Sequence, residues 1–187
     1  MKKAVPVSDQ QKYGWEDYMS DKDQSTEMDE LFDESDEELQ ENKFLMCKLG
    51  NEVYGINIQN VTDIIELQKI TEVPDMPEYV KGVINLRGQV IPVIDLRLRF
   101  GMEAREYDDR TVVTVVNVHN NSIGFIIDTA TEVQDIPEKN IDPPPKFQEK
   151  DIKKRYIFGL GKIDSEVIIL LDIEKLVGEK EMSVATE

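Results

Sequence analysis

The sequence predicts an all-β protein made of two small β-barrels that arose by duplication of one unit. Three observations lead there: an internal repeat, short strand-like segments separated by Gly and Asn turn signals, and only brief helical segments. The repeated unit spans about 70 residues, which is too long for a solenoid and suits a small barrel. With 187 residues, 40% of them hydrophobic, the chain can bury a true core.

The repeat consists of two pairs of similar segments, in the order A, B, A′, B′. Segment A, residues 44–65, aligns with A′, residues 113–134, at a separation of 69 positions. Segment B, residues 79–101, aligns with B′, residues 156–178, at a separation of 77. The matched pairs include Gly55 with Gly124, Gly82 with Gly159, Asp95 with Asp172 and Gly101 with Gly178.

Each segment predicts a β-hairpin. The turn signals are Gly50-Asn51 in A, His119-Asn120-Asn121 in A′ and Arg87-Gly88 in B. In B the hairpin is followed by a short helical turn, which Asp95 caps and Gly101 ends, and Asp172 and Gly178 repeat this signal in B′. The groove between the two barrels is the natural concave surface of such a protein.

The distribution of charge divides the chain. Residues 1–41 hold four lysines and 14 acidic side chains, a net charge of −10 out of −17, which predicts a disordered acidic tail. Residues 42–178 form the predicted folded part, followed by a short tail at 179–187. By repeat, the two barrels fall at approximately 42–105 and 106–178, and the repeat leaves open whether strands are exchanged between them.

Composition also excludes classes of partner. The net charge of −17 argues against nucleic acid and against direct binding to anionic membranes. The apolar runs are too short for a membrane span. A single cysteine, Cys47, permits no internal disulfide and suits a reducing compartment such as the cytoplasm.

The sequence predicts no enzyme. Its one histidine, His119, falls in a predicted turn, whereas Cys47 falls inside a predicted strand, so a Cys–His dyad is not expected. One His and one Cys do not make a zinc site, and no phosphate-binding glycine loop is present, so we expect no metal and no cofactor. A small carboxylate enzyme stays open as an alternative, and it would need two acidic residues with raised pKa values in the groove between the barrels.

Residues 80–96, VKGVINLRGQVIPVIDL, resemble the signature of the CheW-like family. The resemblance covers about residues 43–178 and includes Tyr54-Gly55-Ile56, Gly159-Leu160-Gly161 and the closing segment at 171–176, but not the acidic tail. It implies two five-stranded, SH3-like β-barrels. The chain has no room for the kinase core or receiver domain of longer family members, so we expect a stand-alone member.

The resemblance also implies a role. Family members of this kind are non-catalytic scaffolds that couple chemoreceptors to the histidine kinase CheA in bacterial chemotaxis. The implied partners are the cytoplasmic tip of methyl-accepting chemoreceptors and the regulatory domain of CheA, and the implied location is the cytoplasm, with recruitment to receptor arrays. An adaptor of the same fold in another receptor–kinase array, such as that of twitching motility, is the alternative.

Arg87 is the first candidate site residue. As a turn residue between two apolar strands it should be exposed, and a guanidinium there can bind carboxylates. The resemblance implies a receptor-binding role for Arg87 and its neighbours Asn85, Leu86 and Gly88.

Two residues after the second strand of A complete the candidate receptor site. The resemblance places Val61 and Asp63 at the receptor-binding surface. Core packing explains Val61 equally well, because Ala130 matches it in A′.

A second candidate contact lies in the proline-rich loop of the second half. Phe147 matches an aromatic residue that the family uses in contacts between neighbouring scaffold and kinase domains. Asp142 stands where a basic residue is usual and Lys146 where an acidic one is usual, so the charges look exchanged across this loop.

Overall fold

The computed structural model describes residues 42–144 and 155–177, and it arranges them as two β-sheets with two four-residue helices. The predicted acidic tail, the C-terminal tail and Gly178 lie outside the described residues. The strands are β1 (Lys43–Leu49), β2 (Glu52–Asn57), β3 (Val61–Glu66), β4 (Val80–Leu86), β5 (Gln89–Asp95), β6 (Val112–Val118), β7 (Asn121–Ile127), β8 (Thr129–Asp135), β9 (Ile141–Asp142), β10 (Ile157–Ile163) and β11 (Glu166–Leu171). The helices are α1 (Leu96–Arg99) and α2 (Ile173–Leu176), and 3₁₀ turns span Ile58–Asn60 and Glu138–Asn140. The predicted all-β class is confirmed.

The first sheet has the strand order β8-β1-β2-β11-β10-β9, and the second has the order β3-β6-β7-β5-β4. The first sheet has six strands where five were expected, because the two-residue strand β9 adds to its edge. In the second sheet an isolated bridge between Thr71 and Val83 occupies the position that corresponds to β9 in the first sheet. The two sheets therefore share one plan.

Each sheet combines strands from both halves of the chain. Hairpin β1–β2 of A pairs with hairpin β10–β11 of B′, and β6–β7 of A′ pairs with β4–β5 of B. The connecting contacts are parallel and equivalent by repeat: Leu170 opposite Gly55 in the first sheet, and Val93 opposite Gly124 in the second. Strands are thus exchanged between the halves, a point that the repeat left open.

The predicted turns lie where the sequence placed them. Arg87 and Gly88 have φ angles of 54° and 91°, and His119 and Asn120 have 50° and 66°. Two consecutive residues with positive φ form the type I′ turn, whose twist matches that of the flanking strands. Arg87 is therefore presented at the tip of a tight hairpin.

The predicted helix caps are also present. The Asp95 carboxylate accepts hydrogen bonds from two backbone N–H groups in the first turn of α1, and Asp172 accepts one in α2. The backbone N–H of Asp95 donates to the Tyr79 carbonyl, and that of Asp172 to the Tyr156 carbonyl, both at 2.8 Å. The B and B′ segments therefore close in the same way.

Three apolar clusters make up the core of the described part of the chain. One fills the inside of the second sheet and one the inside of the first, while the largest lies between the sheets and takes side chains from both. We call the cluster between the sheets the shared cluster. Strand β1 contributes to two clusters, because Phe44 and Met46 point into the first sheet whereas Leu45 and Cys47 point into the shared cluster. Strands buried on both faces lose the alternation of apolar and polar residues. The shared cluster includes Tyr54, Ile56, Ile94, Phe125, Leu171 and Leu176.

Polar contacts also join the two sheets. Asp128 accepts hydrogen bonds from the Gly50 backbone N–H at 2.8 Å and from Arg97 Nη1 at 2.7 Å. Arg99 Nε donates to the carbonyl of Leu176 at 3.1 Å, and its guanidinium lies 4.2 Å from the centre of the Tyr79 ring. These contacts hold the β1–β2 turn and α2 against α1.

Thr114 is the exception in the core. It is fully buried in β6, and its hydroxyl has no hydrogen-bond partner among the described residues. We predict that Thr114→Val raises the free energy of unfolding by about 1 kcal/mol, because it replaces an unsatisfied hydroxyl with a methyl group of similar shape. Urea denaturation measures this.

The matched control is Thr111→Val. Thr111 is also buried, but its hydroxyl bonds to the backbone N–H of Asp108 at 3.1 Å. That substitution should lower stability. If Thr114→Val is destabilising too, the Thr114 hydroxyl has a partner in solution.

Candidate functional site

The tip of the β4–β5 hairpin carries the candidate receptor-binding residues. Arg87 Nη2 donates to Asp63 Oδ2 at 2.9 Å. The side chain of Arg87 is 80% exposed and that of Asp63 is 24% exposed. Asp63 lies in β3 and Arg87 follows β4, so the ion pair joins the two outermost strands of the second sheet.

The turn that presents Arg87 is held by its own side chains. Asn85 Oδ1 accepts a hydrogen bond from the Gly88 backbone N–H at 2.8 Å, which stabilises the turn locally. Leu86 is half-buried and packs against the apolar core of the second sheet. A guanidinium on such a turn loses little freedom when it binds.

Asp63 is itself fixed. Its other oxygen, Oδ1, accepts from the Ile64 backbone N–H at 2.9 Å. The register of β3 against β6 shifts between Val61 and Asp63, and Val61 packs half-buried against the shared cluster. Exposed apolar side chains complete this "Arg87 surface", which we define as Asp63, Ile64, Asn85, Arg87 and Val90; Ile64 is 42% and Val90 55% exposed.

A close backbone approach supports the hairpin from behind. Thr71, downstream of β3, exchanges two hydrogen bonds with Val83 of β4, at 2.9 and 2.8 Å. Gly82 has a φ of 135°, and a Cβ atom there would lie 2.1 Å from the Thr71 carbonyl oxygen. Only glycine fits at this position, because φ is positive and a Cβ atom would overlap the Thr71 carbonyl oxygen.

The second candidate contact borders a groove at the edge of the first sheet. This "β9 groove" has a volume of about 620 Å³ and is lined by Phe44, Asn57, Ile141, Asp142, Pro143 and Phe158, among others. Phe158 is 56% exposed. Asp142 lies 2.5 Å from Lys162 Nζ of β10, so the reversed charge has a partner within the chain. Lys146 and Phe147 lie outside the described residues.

Sequence reasoning missed Phe158. In β10 the glycines Gly159 and Gly161 are buried, whereas Phe158 and Lys162 alternate with them and are exposed. An aromatic residue on the outward face of a strand, followed by an inward glycine, is the signal that points to it. It also missed Asp128 and Arg99, because both act through partners distant in sequence.

The chemistry of the described residues is that of a binding surface. Burial raises the pKa of the Cys47 thiol to about 12, so no nucleophilic thiolate forms at neutral pH. His119 is exposed in its turn, with Nε2 3.9 Å from Glu174. A hydrogen bond from Arg110 lowers the pKa of Asp108, the opposite of what the carboxylate-enzyme alternative needs. Within residues 42–144 and 155–177, no three potential metal ligands come together.

Neither helix in the described part of the chain has the length or the apolar character that a membrane crossing requires.

Comparison with known proteins decides the family. The model of the CheW-like domain matches residues 43–181, which is most of the chain. The chain belongs to the CheW-like family. The match begins at the first residue of β1 and contains both sheets, the Arg87 surface and the β9 groove.

Named members of the CheW-like family are similar over most of their length. The chemotaxis protein CheW of Klebsiella aerogenes is 38% identical over 142 residues, which cover 76% of this chain and 85% of that protein. The chemotaxis protein CheW of Helicobacter pylori is 36% identical over 135 residues, covering 72% and 81%. The scaffolding protein TtCheW from Thermoanaerobacter tengcongensis is 36% identical, with a TM-score of 0.69 over 75% of this chain and 97% of that one.

Membership in the CheW-like family makes this chain a chemotaxis coupling scaffold without catalytic activity. The predicted family, function class and absence of an enzymatic role are thereby confirmed. The carboxylate-enzyme alternative is not supported.

We predict that Gly82→Ala destabilises the protein by at least about 3 kcal/mol, because it combines an unfavourable φ with a clash against backbone. The control is Gly88→Ala, where φ is also positive but no atom lies within 4 Å of the added Cβ. That variant should lose only about 1 kcal/mol. Equal losses in thermal unfolding would show that Thr71 moves aside.

Proposed function

We propose that this scaffold binds the cytoplasmic tip of methyl-accepting chemoreceptors through the Arg87 surface while it holds the regulatory domain of a CheA-type kinase. The observation that carries the proposal is the exposed guanidinium of Arg87, fixed by Asp63 on a tight turn. Exposed, preorganised arginines are typical of residues that dominate binding energy.

The Arg87 surface has the chemistry to bind a helical partner. Arg87 donates one hydrogen bond to Asp63, and a guanidinium has five N–H groups, so others are directed to solvent and can reach a partner's carboxylate. Ile64, next in sequence to Asp63, and Val90, three positions after Arg87, are exposed apolar residues. An apolar rim with a few charges suits the face of an amphipathic helical hairpin, which is the form of a receptor tip.

The kinase contact includes the β9 groove. Asp142 borders it, and Phe147 and Lys146 follow closely in the sequence. Lys162 neutralises Asp142, so we infer that this contact depends on apolar side chains such as Phe158 more than on an ion pair between the proteins. Exposed ion pairs contribute little binding energy in any case.

The proposal implies a place in the cell. A protein that binds cytoplasmic receptor tips works in the cytoplasm and is recruited to membrane receptor arrays through its partners. Its net charge of −17 supports recruitment by protein rather than by anionic lipid.

We predict that Arg87→Ala leaves the melting temperature nearly unchanged and weakens binding of a receptor-tip fragment by about 2 kcal/mol, roughly 30-fold. Kinase binding should change much less. Titration calorimetry with each partner measures both affinities.

Arg110→Ala is the matched control, because Arg110 is also an exposed arginine paired with an aspartate, Asp108, at 3.0 Å. Its receptor affinity should equal that of the original chain. Unfolding of Arg87→Ala would show a structural role for Arg87, and unchanged receptor affinity would remove it from the receptor site.

A further inference from the structure

The outward face of β10 is apolar at one end and charged at the other. Gly159 and Gly161 are buried, and the alternation of a strand places Phe158, Leu160 and Lys162 on the opposite, outward face. Phe158 is 56% exposed, and Leu160 is half-buried. Phe158 and Lys162 are four positions apart, which corresponds to roughly 13 Å along the strand.

The two neighbouring strands extend this outward face. Asp142 of β9 lies opposite Leu160, and Val167 of β11 lies opposite Lys162. Residues directly opposite each other in an antiparallel ladder share a face. Val167 is 58% exposed. The ion pair between Asp142 and Lys162 therefore has an exposed apolar side chain at either end, Phe158 and Val167, and we call these four residues with Leu160 the "β10 face".

The fold itself does not depend on this ion pair. The repeat places Asn85 at the position of Lys162, and the bridge of Thr71 to Val83 occupies the position of Asp142. This uncharged equivalent still forms two backbone hydrogen bonds, at 2.9 and 2.8 Å. The Lys162 and Asp142 side chains are 56% and 50% exposed, and exposed ion pairs add little stability. A role in binding is therefore open to this pair.

A partner that covers the β10 face changes the environment of the ion pair. A segment that packs on both Phe158 and Val167 also removes water from Asp142 and Lys162 between them. A carboxylate that keeps its cation tolerates this loss of water, whereas one without a cation is costly to cover. The aliphatic stem of a lysine adds apolar contact in the same place.

We propose that Lys162 is a specificity-determining residue of the kinase contact: it neutralises Asp142 inside the contact and thereby selects a kinase segment that is apolar and carries no cation opposite Asp142. This inference rests on the proposed function. A charged kinase side chain at this point would lose its hydration and meet a pair that is already neutral, so it would be selected against.

The test is a double-mutant cycle in the full chain, titrated by calorimetry with a full-length CheA-type kinase from the same organism. Lys162→Gln should weaken kinase binding about tenfold, because it leaves the Asp142 carboxylate unpaired in the contact. Asp142→Asn combined with Lys162→Gln should bind within about threefold of the original chain, because neither charge is then present. The rescue distinguishes neutralisation of Asp142 from a direct contact of Lys162 with the kinase.

Lys175→Gln is the matched control. Lys175 also forms an exposed ion pair within the chain, with Asp172 at 2.6 Å, but it lies on α2 and outside the β10 face. Its kinase affinity should stay within about twofold of that of the original chain. All variants should keep the original melting temperature and receptor-tip affinity, because the substituted side chains are exposed and lie outside the Arg87 surface.

The outcomes separate the inference from the proposed function. If the original chain does not bind the kinase, the proposed function fails. If the original chain binds but Lys162→Gln binds equally well or more tightly, the inference fails and the proposed function stands. If Lys162→Gln weakens binding and the combined variant does not restore it, Lys162 contacts the kinase itself, and its assignment as the residue that neutralises Asp142 is overturned.

Discussion

The apolar cluster shared by the two sheets is the constraint on which the rest of this structure depends. Strands β1, β2, β6 and β7 bury side chains on both faces, so neither sheet has a complete core without the other. The polar contacts of Asp128 and Arg99 cross the same boundary. Because the sheets are locked together, surfaces on them keep fixed relative positions, which is what a scaffold that holds two partners needs.

Local features of this fold were predictable from sequence, and long-range pairings were not. The turn at Arg87-Gly88 and the caps at Asp95 and Asp172 depend on residues within a few positions of each other. The choice between pairing A with B and pairing A with B′ depends on parallel contacts such as Gly55 with Leu170, and the repeat is equally compatible with both.

In the candidate site, too, local features were predictable from sequence and long-range contacts were not. That Arg87 is exposed followed from its turn, but its ion pair with Asp63, 24 positions away, depends on how the second sheet brings its outer strands together. The β9 groove is likewise formed by strands from distant parts of the chain. Duplication kept an exposed valine after each of two equivalent hairpin turns, Val90 and Val167, but it placed Arg87 at one turn and Asp164 at the other.

The exchange of strands also constrains the history of the molecule. A single ancestral unit, with only one A and one B segment, lacks the second copy with which each hairpin now pairs. If the ancestral unit paired its segments as they pair now, two such chains would each have completed the other's sheets, as in a domain-swapped homodimer with two-fold symmetry. Fusion of the two genes would then have joined an existing dimer into one polypeptide, after which its halves were free to diverge in charge.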